Sequence, residues 1–148
     1  MKIVLNKCYG GFGLSHVAKM EIFKKRGIEV FPYIYKWDGG EVSYERYSLD
    51  KLDNSLMTSI TYFQKDPKID SFIEEANEKS EYAPIYLDFD YEDRGNEDLV
   101  EVVEKLGELA GGRFSELRVV DIPNGASYEI SDYDGIETAH YGFQTGSV

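Results

Sequence analysis

Met1-Lys-Ile-Val-Leu-Asn-Lys-Cys-Tyr-Gly-Gly-Phe-Gly-Leu-Ser15 decides how this chain begins to fold. Ile3-Val4-Leu5 is a short apolar run of the kind a buried strand needs. The run stops at Asn6, and three glycines then precede Ser15, a favoured helix N-cap. Glycine accepts positive φ and lets backbone N–H groups approach a ligand closely. A strand running through such a loop into a helix N-terminus suits an anion, which makes Gly10, Gly11, Phe12, Gly13 and Ser15 a candidate anion loop. The loop fits neither familiar phosphate fingerprint. The dinucleotide motif needs a glycine where His16 stands, and the P-loop needs Gly-Lys-Ser/Thr where the chain reads Gly13-Leu14-Ser15. A tight turn with Ser15 as an ordinary cap explains the same residues.

Working outward, Ser15 to Arg26 carries apolar residues at Val17, Met20, Ile22 and Phe23, the spacing of an amphipathic helix that Gly27 ends. Glu29 to Lys36 reads as a strand, Asp38-Gly39-Gly40 as a turn, and Glu41 to Tyr47 as the hairpin partner. Pro32 predicts a sheet edge or a bulge. Residues 48–80 read as a variable insertion without chemistry, with Leu52 to Phe63 and Ile69 to Ala76 as short helices separated by Asp66-Pro67. Tyr82 to Tyr91 alternates as a strand. Asn96 to Ala110 is the clearest helix, capped by Asn96, acidic at Glu97 and Asp98, and striped by Leu99, Val102, Val103, Leu106 and Ala110. Gly111-Gly112 ends it, and strands follow at Leu117 to Ile122 and Ala126 to Ile130. This order predicts an α+β fold over 1–148, one domain with two principal helices on a mainly antiparallel sheet.

Composition removes several classes of function. A chain of 148 residues can bury a real core. Its 28 acidic and 16 basic residues give a net charge of −12, which repels DNA and RNA polymers. An anionic ligand would therefore need a local pocket where a few cations or N–H groups converge. No stretch approaches the roughly 20 apolar residues of a membrane span, and the opening strand does not read as a signal peptide. The single cysteine, Cys8, allows no internal disulfide and fits a reducing cytoplasm. The 12 tyrosines offer surface for stacking or for an oligomer interface.

Four constellations could carry chemistry. Cys8 precedes a helix start, where thiolates are favoured, but a phosphatase-type loop would need an arginine at Leu14; a buried inert thiol is the alternative. Asp88-Phe-Asp-Tyr-Glu-Asp93 places Asp88 and Asp90 on one strand face, yet a calcium loop would need glycine at Asp93. His16 and His140 lack ligand spacing, so neither a metal nor a cofactor is expected. The arginines say more. Arg94 lies just before the cap Asn96, Arg113 lies beyond the far end of that helix, and Arg118 lies on the next strand. An anion at a helix N-terminus beside an arginine is a recurring arrangement. Pairing of Arg94 with Asp90 or Asp93 is the competing account.

At Asn6-Lys-Cys-Tyr-Gly-Gly-Phe-Gly-Leu-Ser15 the chain resembles a family of small phage and prophage proteins that share this opening. The resemblance returns at Arg94 to Gly107, Gly112-Arg113, Glu116 to Pro123 and Tyr128 to Glu137, including Tyr133-Asp-Gly135. In particular it is similar to the first Thoeris anti-defence family. Those phage proteins bind the cyclic ADP-ribose signal made by bacterial TIR enzymes and hold it uncleaved. The resemblance implies a non-enzymatic sponge in the host cytoplasm. It also implies a homo-oligomer built on dimers, with ligand near a subunit interface and, in some members, cyclic oligonucleotides at separate sites. The chain departs from the family at Glu97-Asp98, where Asp-Pro is usual, and in its tail from Ala139 to Gly146.

The sponge reading names Arg94, Asn96, Arg113 and Arg118 as ligand-binding residues, with Tyr82, Phe89 and Tyr91 as stacking surfaces. Two other classes stay open. One is a small nucleotide hydrolase or phosphatase using Cys8 or the Asp88/Asp90 pair. The other is a phage protein that binds a host protein through its acidic, tyrosine-rich surface.

Overall fold

The computed structural model describes residues 1–48, 58–75, 79–142 and 146–148. They form two compact units, Met1–Arg26 with Asp88–Val148, and Gly27–Leu87. Every strand pairing among the described residues is antiparallel, and the fold class is α+β, dominated by sheet.

In the first unit, β1 (Lys2–Asn6) pairs with β7 (Leu117–Asp121), Val4 opposite Val119. Ile3, Val4 and Leu5 are fully buried, as the apolar run requires. Helix α1 (His16–Lys25) is capped by Ser15, whose Oγ accepts from the Ala18 N–H at 3.1 Å. Its buried face is Ala18, Ile22 and Phe23; Val17, expected on the apolar stripe, is half exposed. Helix α2 (Glu97–Leu106) buries Leu99, Val100, Val102 and Val103 and packs against α1, β1 and β7. It stops at Leu106, four residues before the expected Ala110, because Gly107 turns to φ +57° and a 3-10 turn carries Gly107–Ala110. Strands β8 (Tyr128–Tyr133), β9 (Ile136–Tyr141) and β10 (Gly146–Ser147) form a second sheet. Ile3 and Leu5 pack with Ile122 and Ala139, joining the β1–β7 ribbon to this sheet. The β8–β9 hairpin turns at Asp134-Gly135, and β9 was not expected from the sequence.

In the second unit, β2 (Phe31–Asp38), β3 (Glu41–Arg46), β4 (Thr58–Phe63), β5 (Ser71–Glu75) and β6 (Pro84–Ile85) form one sheet in the order β5-β3-β2-β4-β6. Three expectations are corrected here. The residues read as helices within 58–63 and 71–75 are strands; their β-branched and aromatic content pairs with β2 and β3, and cross-strand packing overrides the helical spacing. Residues 52–57 and Ala76 lie outside the described residues. Pro32 is not at an edge: β2 is the central strand. The Pro32 carbonyl accepts from the Tyr47 N–H at 3.1 Å, just past the end of β3, so its missing N–H faces a position where the ladder has ended. The expected strand Tyr82 to Tyr91 shrinks to Pro84–Ile85, with a 3-10 turn at Tyr91–Asp93. No helix among the described residues is long and apolar enough to cross a membrane.

Candidate functional site

The residues of the opening motif converge on a buried polar centre in the first unit. Asn6 is fully buried and uses its whole amide. Its Nδ2 donates to the carbonyls of Cys8 (2.7 Å) and Gly135 (2.6 Å), and its Oδ1 accepts from the N–H groups of Glu116 (2.9 Å) and Cys8 (3.3 Å). One side chain thus ties the end of β1 to the approach to β7 and to the β8–β9 turn.

Arg94 lies beside it, turned inward and 3% exposed. Its guanidinium forms a two-pronged ion pair with Glu137 of β9, itself buried, with Nη2 to Oε2 at 2.8 Å. Arg94 Nε donates to the Phe89 carbonyl at 3.1 Å, and the Phe12 ring covers the guanidinium with 3.8 Å from Cζ to the ring centre. The pair also completes the edge of β1 that β7 leaves open. The Val4 N–H donates to the Arg94 carbonyl at 2.9 Å, the Val4 carbonyl accepts from Arg94 Nη1 at 3.4 Å, and the Asn6 N–H donates to Glu137 Oε1 at 2.8 Å. In effect an ion pair takes the place of a neighbouring strand. No buried side-chain polar atom among the described residues lacks a partner.

The glycine loop is a packing knot. The Gly10 N–H donates to the Asp134 carbonyl at 3.2 Å, and the Gly11 carbonyl accepts from Ser115 Oγ at 2.6 Å. Gly10 sits at φ +110°, and a Cβ there would stand 2.6 Å from that of Phe114. Gly135 sits at φ +91°, and a Cβ there would fall on the Gly11 amide. The Gly13 carbonyl accepts from the Gly112 N–H, and Ser15 donates through N to Ala110 and through Oγ to Leu109. These contacts account for Gly10, Gly11, Gly13 and Ser15 without a ligand.

The arginines expected to act together separate. Arg94 does not point to the N-terminus of α2, nor does it pair with Asp90 or Asp93; its partner is 43 residues further on, and burial demands full compensation of its charge. Asn96 serves as the α2 cap, its Oδ1 accepting from the N–H groups of Asp98 (3.0 Å) and Leu99 (3.2 Å). Arg113 and Arg118 are exposed; Arg113 lies over the Phe114 ring at 5.1 Å and Arg118 pairs with Glu116. Phe89 receives the Arg26 guanidinium at 5.7 Å, and Tyr91 is exposed 5.4 Å from Arg94. Tyr82 belongs to the second unit, where its ring packs on Phe63 and Phe72.

Asp88 and Asp90 share no strand face, since residues 86–90 form no strand. Asp90 opens the 3-10 turn, its N–H donating to the Asp93 carboxylate at 3.2 Å. The Cys8 backbone is held at both its N–H and its carbonyl by Asn6. A cleft of about 640 Å³ in this unit is lined by Tyr91, Glu92 and residues 126–130; its charged residues are Glu92 and Glu129, a poor match for phosphate.

What surrounds the knot is different in character. Tyr9 is 63% exposed beside Gly10, and Phe114 is 50% exposed with its Cβ against Gly10. Tyr133 is 75% exposed next to Asp134. Arg113 and Arg118 flank the Ser115-Glu116 pair that Gly11 and Asn6 bind. Sequence reasoning missed Asn6 and Glu137 as the organising residues and Tyr9, Phe114 and Tyr133 as exposed rings; no local pattern marked them, since β9 itself was not expected and burial is decided by tertiary packing. No family model, curated protein or solved structure significantly matches this chain.

Proposed function

We propose that this chain is a non-catalytic sponge for a cyclic ADP-ribose-type signalling nucleotide. In this reading it acts as a phage anti-defence protein in the host cytoplasm, as a homo-oligomer built on dimers. The observation that supports it is that exposed aromatic and cationic residues adjoin, along the chain, the loop and the segments it binds: Tyr9, Phe114 and Tyr133, with Arg113 and Arg118. Exposed rings on a rigid backbone stack a purine at little entropic cost, each stacked base being worth about 1–3 kcal/mol. Arg113 and Arg118 supply planar donors for phosphate, and the exposed Arg118–Glu116 pair is cheap to exchange. Arg94, Glu137 and Asn6 take a positioning part, holding Phe12, Glu116 and Gly135 in place rather than touching ligand. A holder needs only such a rigid surface.

The test is to incubate the protein with cyclic ADP-ribose isomers, remove free ligand, denature, and identify what is released by mass spectrometry. Intact cyclic nucleotide is the expected product. A hydrolysed product points instead to a nucleotide hydrolase. Absence of nucleotide with a co-purifying host polypeptide points to a protein-binding role. Arg113→Ala and Arg118→Ala should each weaken binding by about tenfold, the loss of one charge-assisted contact.

A further inference from the structure

The second unit carries a cavity that the nucleotide reading does not use. On the face of the sheet that bears Tyr33, Phe63 and Phe72, register places Tyr35 opposite Tyr44, Trp37 opposite Val42, and Val42 opposite Glu74. The Tyr35 and Tyr44 rings lie 5.7 Å apart at 59°. Beyond the packed cluster of Tyr33, Phe63 and Phe72, this face opens into a cavity of about 370 Å³. Tyr35, Trp37, Tyr44 and Tyr86 supply aromatic walls, and Glu74, opposite Val42 on this same face, supplies a carboxylate; Glu75, the next residue of β5, borders the cavity but alternates to the other face. Trp37 and Tyr86 are 50% and 70% exposed, so the rings are reachable from solvent. The volume falls in the range of small-molecule sites.

The ligand class follows from charge. Aromatic faces are negative at the centre and attract cations, most strongly for tryptophan and for cations that water solvates weakly. The Glu74 carboxylate at the cavity disfavours phosphate and reinforces that preference. Lys79, the one cation among the described lining residues, works against that preference. Burial, then Glu74, Tyr86 and Tyr35, push the Tyr44 hydroxyl up to about 12, so its ring stays a neutral phenol. We propose that this cavity is an aromatic cage for a methylated ammonium group, carried either by a small molecule of the choline type or by a trimethylated lysine.

The test titrates the full chain with tetramethylammonium and with choline at constant ionic strength, following emission from Trp37, the chain's single tryptophan. A saturable change with a roughly millimolar midpoint is expected, with the neutral tert-butyl analogue of choline at least about tenfold weaker. No saturable change, or equal binding of the neutral analogue, overturns the proposal. Glu74→Gln and Tyr86→Ala should each weaken choline by about threefold or more, and Tyr86 is exposed enough that its truncation spares the fold. Unchanged affinity in both variants overturns the cage. Lys79→Ala should tighten choline binding; weakening would mark the cavity as an anion site and overturn the assignment. Comparison of choline with a trimethyllysine peptide identifies the source of the headgroup, since the peptide binds more tightly only where a protein supplies it. Every arm reads the second unit alone, so its outcome is separate from that of the nucleotide test.

Discussion

Replacing Glu137 by glutamine tests the central structural claim, that a buried ion pair stands in for a strand beside β1. Glu137 and Arg94 have side chains 2% and 4% exposed, so water cannot compensate either partner. Glutamine keeps the shape but removes the charge and sets an NH₂ group against the guanidinium or the Asn6 N–H. Breaking a buried pair by removing one partner costs about 3–5 kcal/mol, since the remaining charge stays uncompensated. The Asn6 N–H loses a carboxylate acceptor as well. We expect Glu137→Gln to lose about 3 kcal/mol or more in urea unfolding. The helix band of the far-UV spectrum is the appropriate signal, because α1 and α2 both belong to this unit. Arg94→Met and Glu137→Met should each cost a similar amount. The double variant Arg94→Met/Glu137→Met should lose about 2 kcal/mol or more less than the sum of its singles, because two matched apolar groups leave no orphan charge. A loss below about 1 kcal/mol in Glu137→Gln, or additive behaviour in the cycle, would refute the reasoning.

Other expectations follow from the same geometry. Gly135→Ala should cost more than about 2 kcal/mol, since a Cβ there meets the Gly11 backbone at φ +91°. Gly125→Ala, at φ +76° with open space around it, should cost only about 1–2 kcal/mol, and thermal unfolding of both checks the contrast. Asn96→Ala should cost about 1 kcal/mol by removing the α2 cap, with nucleotide affinity unchanged if Asn96 has no ligand role. His16 is held below its ordinary pKa, first by burial and then by Lys19. The folded state therefore binds fewer protons than the unfolded chain just below the usual histidine pKa. The contribution of His16 is present above about pH 6.5 and is lost as pH falls through that value toward the lowered folded one. His16→Gln should flatten the rise in stability between about pH 5 and 7, measured by urea midpoints across that range.

Much of the first unit was legible because its signals are local. Ile3-Val4-Leu5, the Ser15 and Asn96 caps and the stripe of α2 each depend on residues a turn or less apart. The β2–β3 hairpin was legible for the same reason. The strands at 58–63 and 71–75 were misread because they are decided by partners, not by their own spacing. The site was the least legible part. Arg94 beside Asn96 looks like an anion clamp in sequence, yet the residue that determines its role lies 43 positions away.

The amino-acid sequence by itself determined the α+β class, the two helices with their caps, and the strand–glycine loop–helix opening. Nearest-neighbour chemistry is enough for each of these. Only the tertiary structure decided that the glycines are a packing knot, that Asn6 and Glu137 organise the first unit, and which rings remain exposed. Those outcomes rest on burial and charge compensation between segments more than a hundred residues apart, as in the bonds from Asn6 to Glu116, Gly135 and Glu137. No local pattern encodes which distant partner a buried polar group will find.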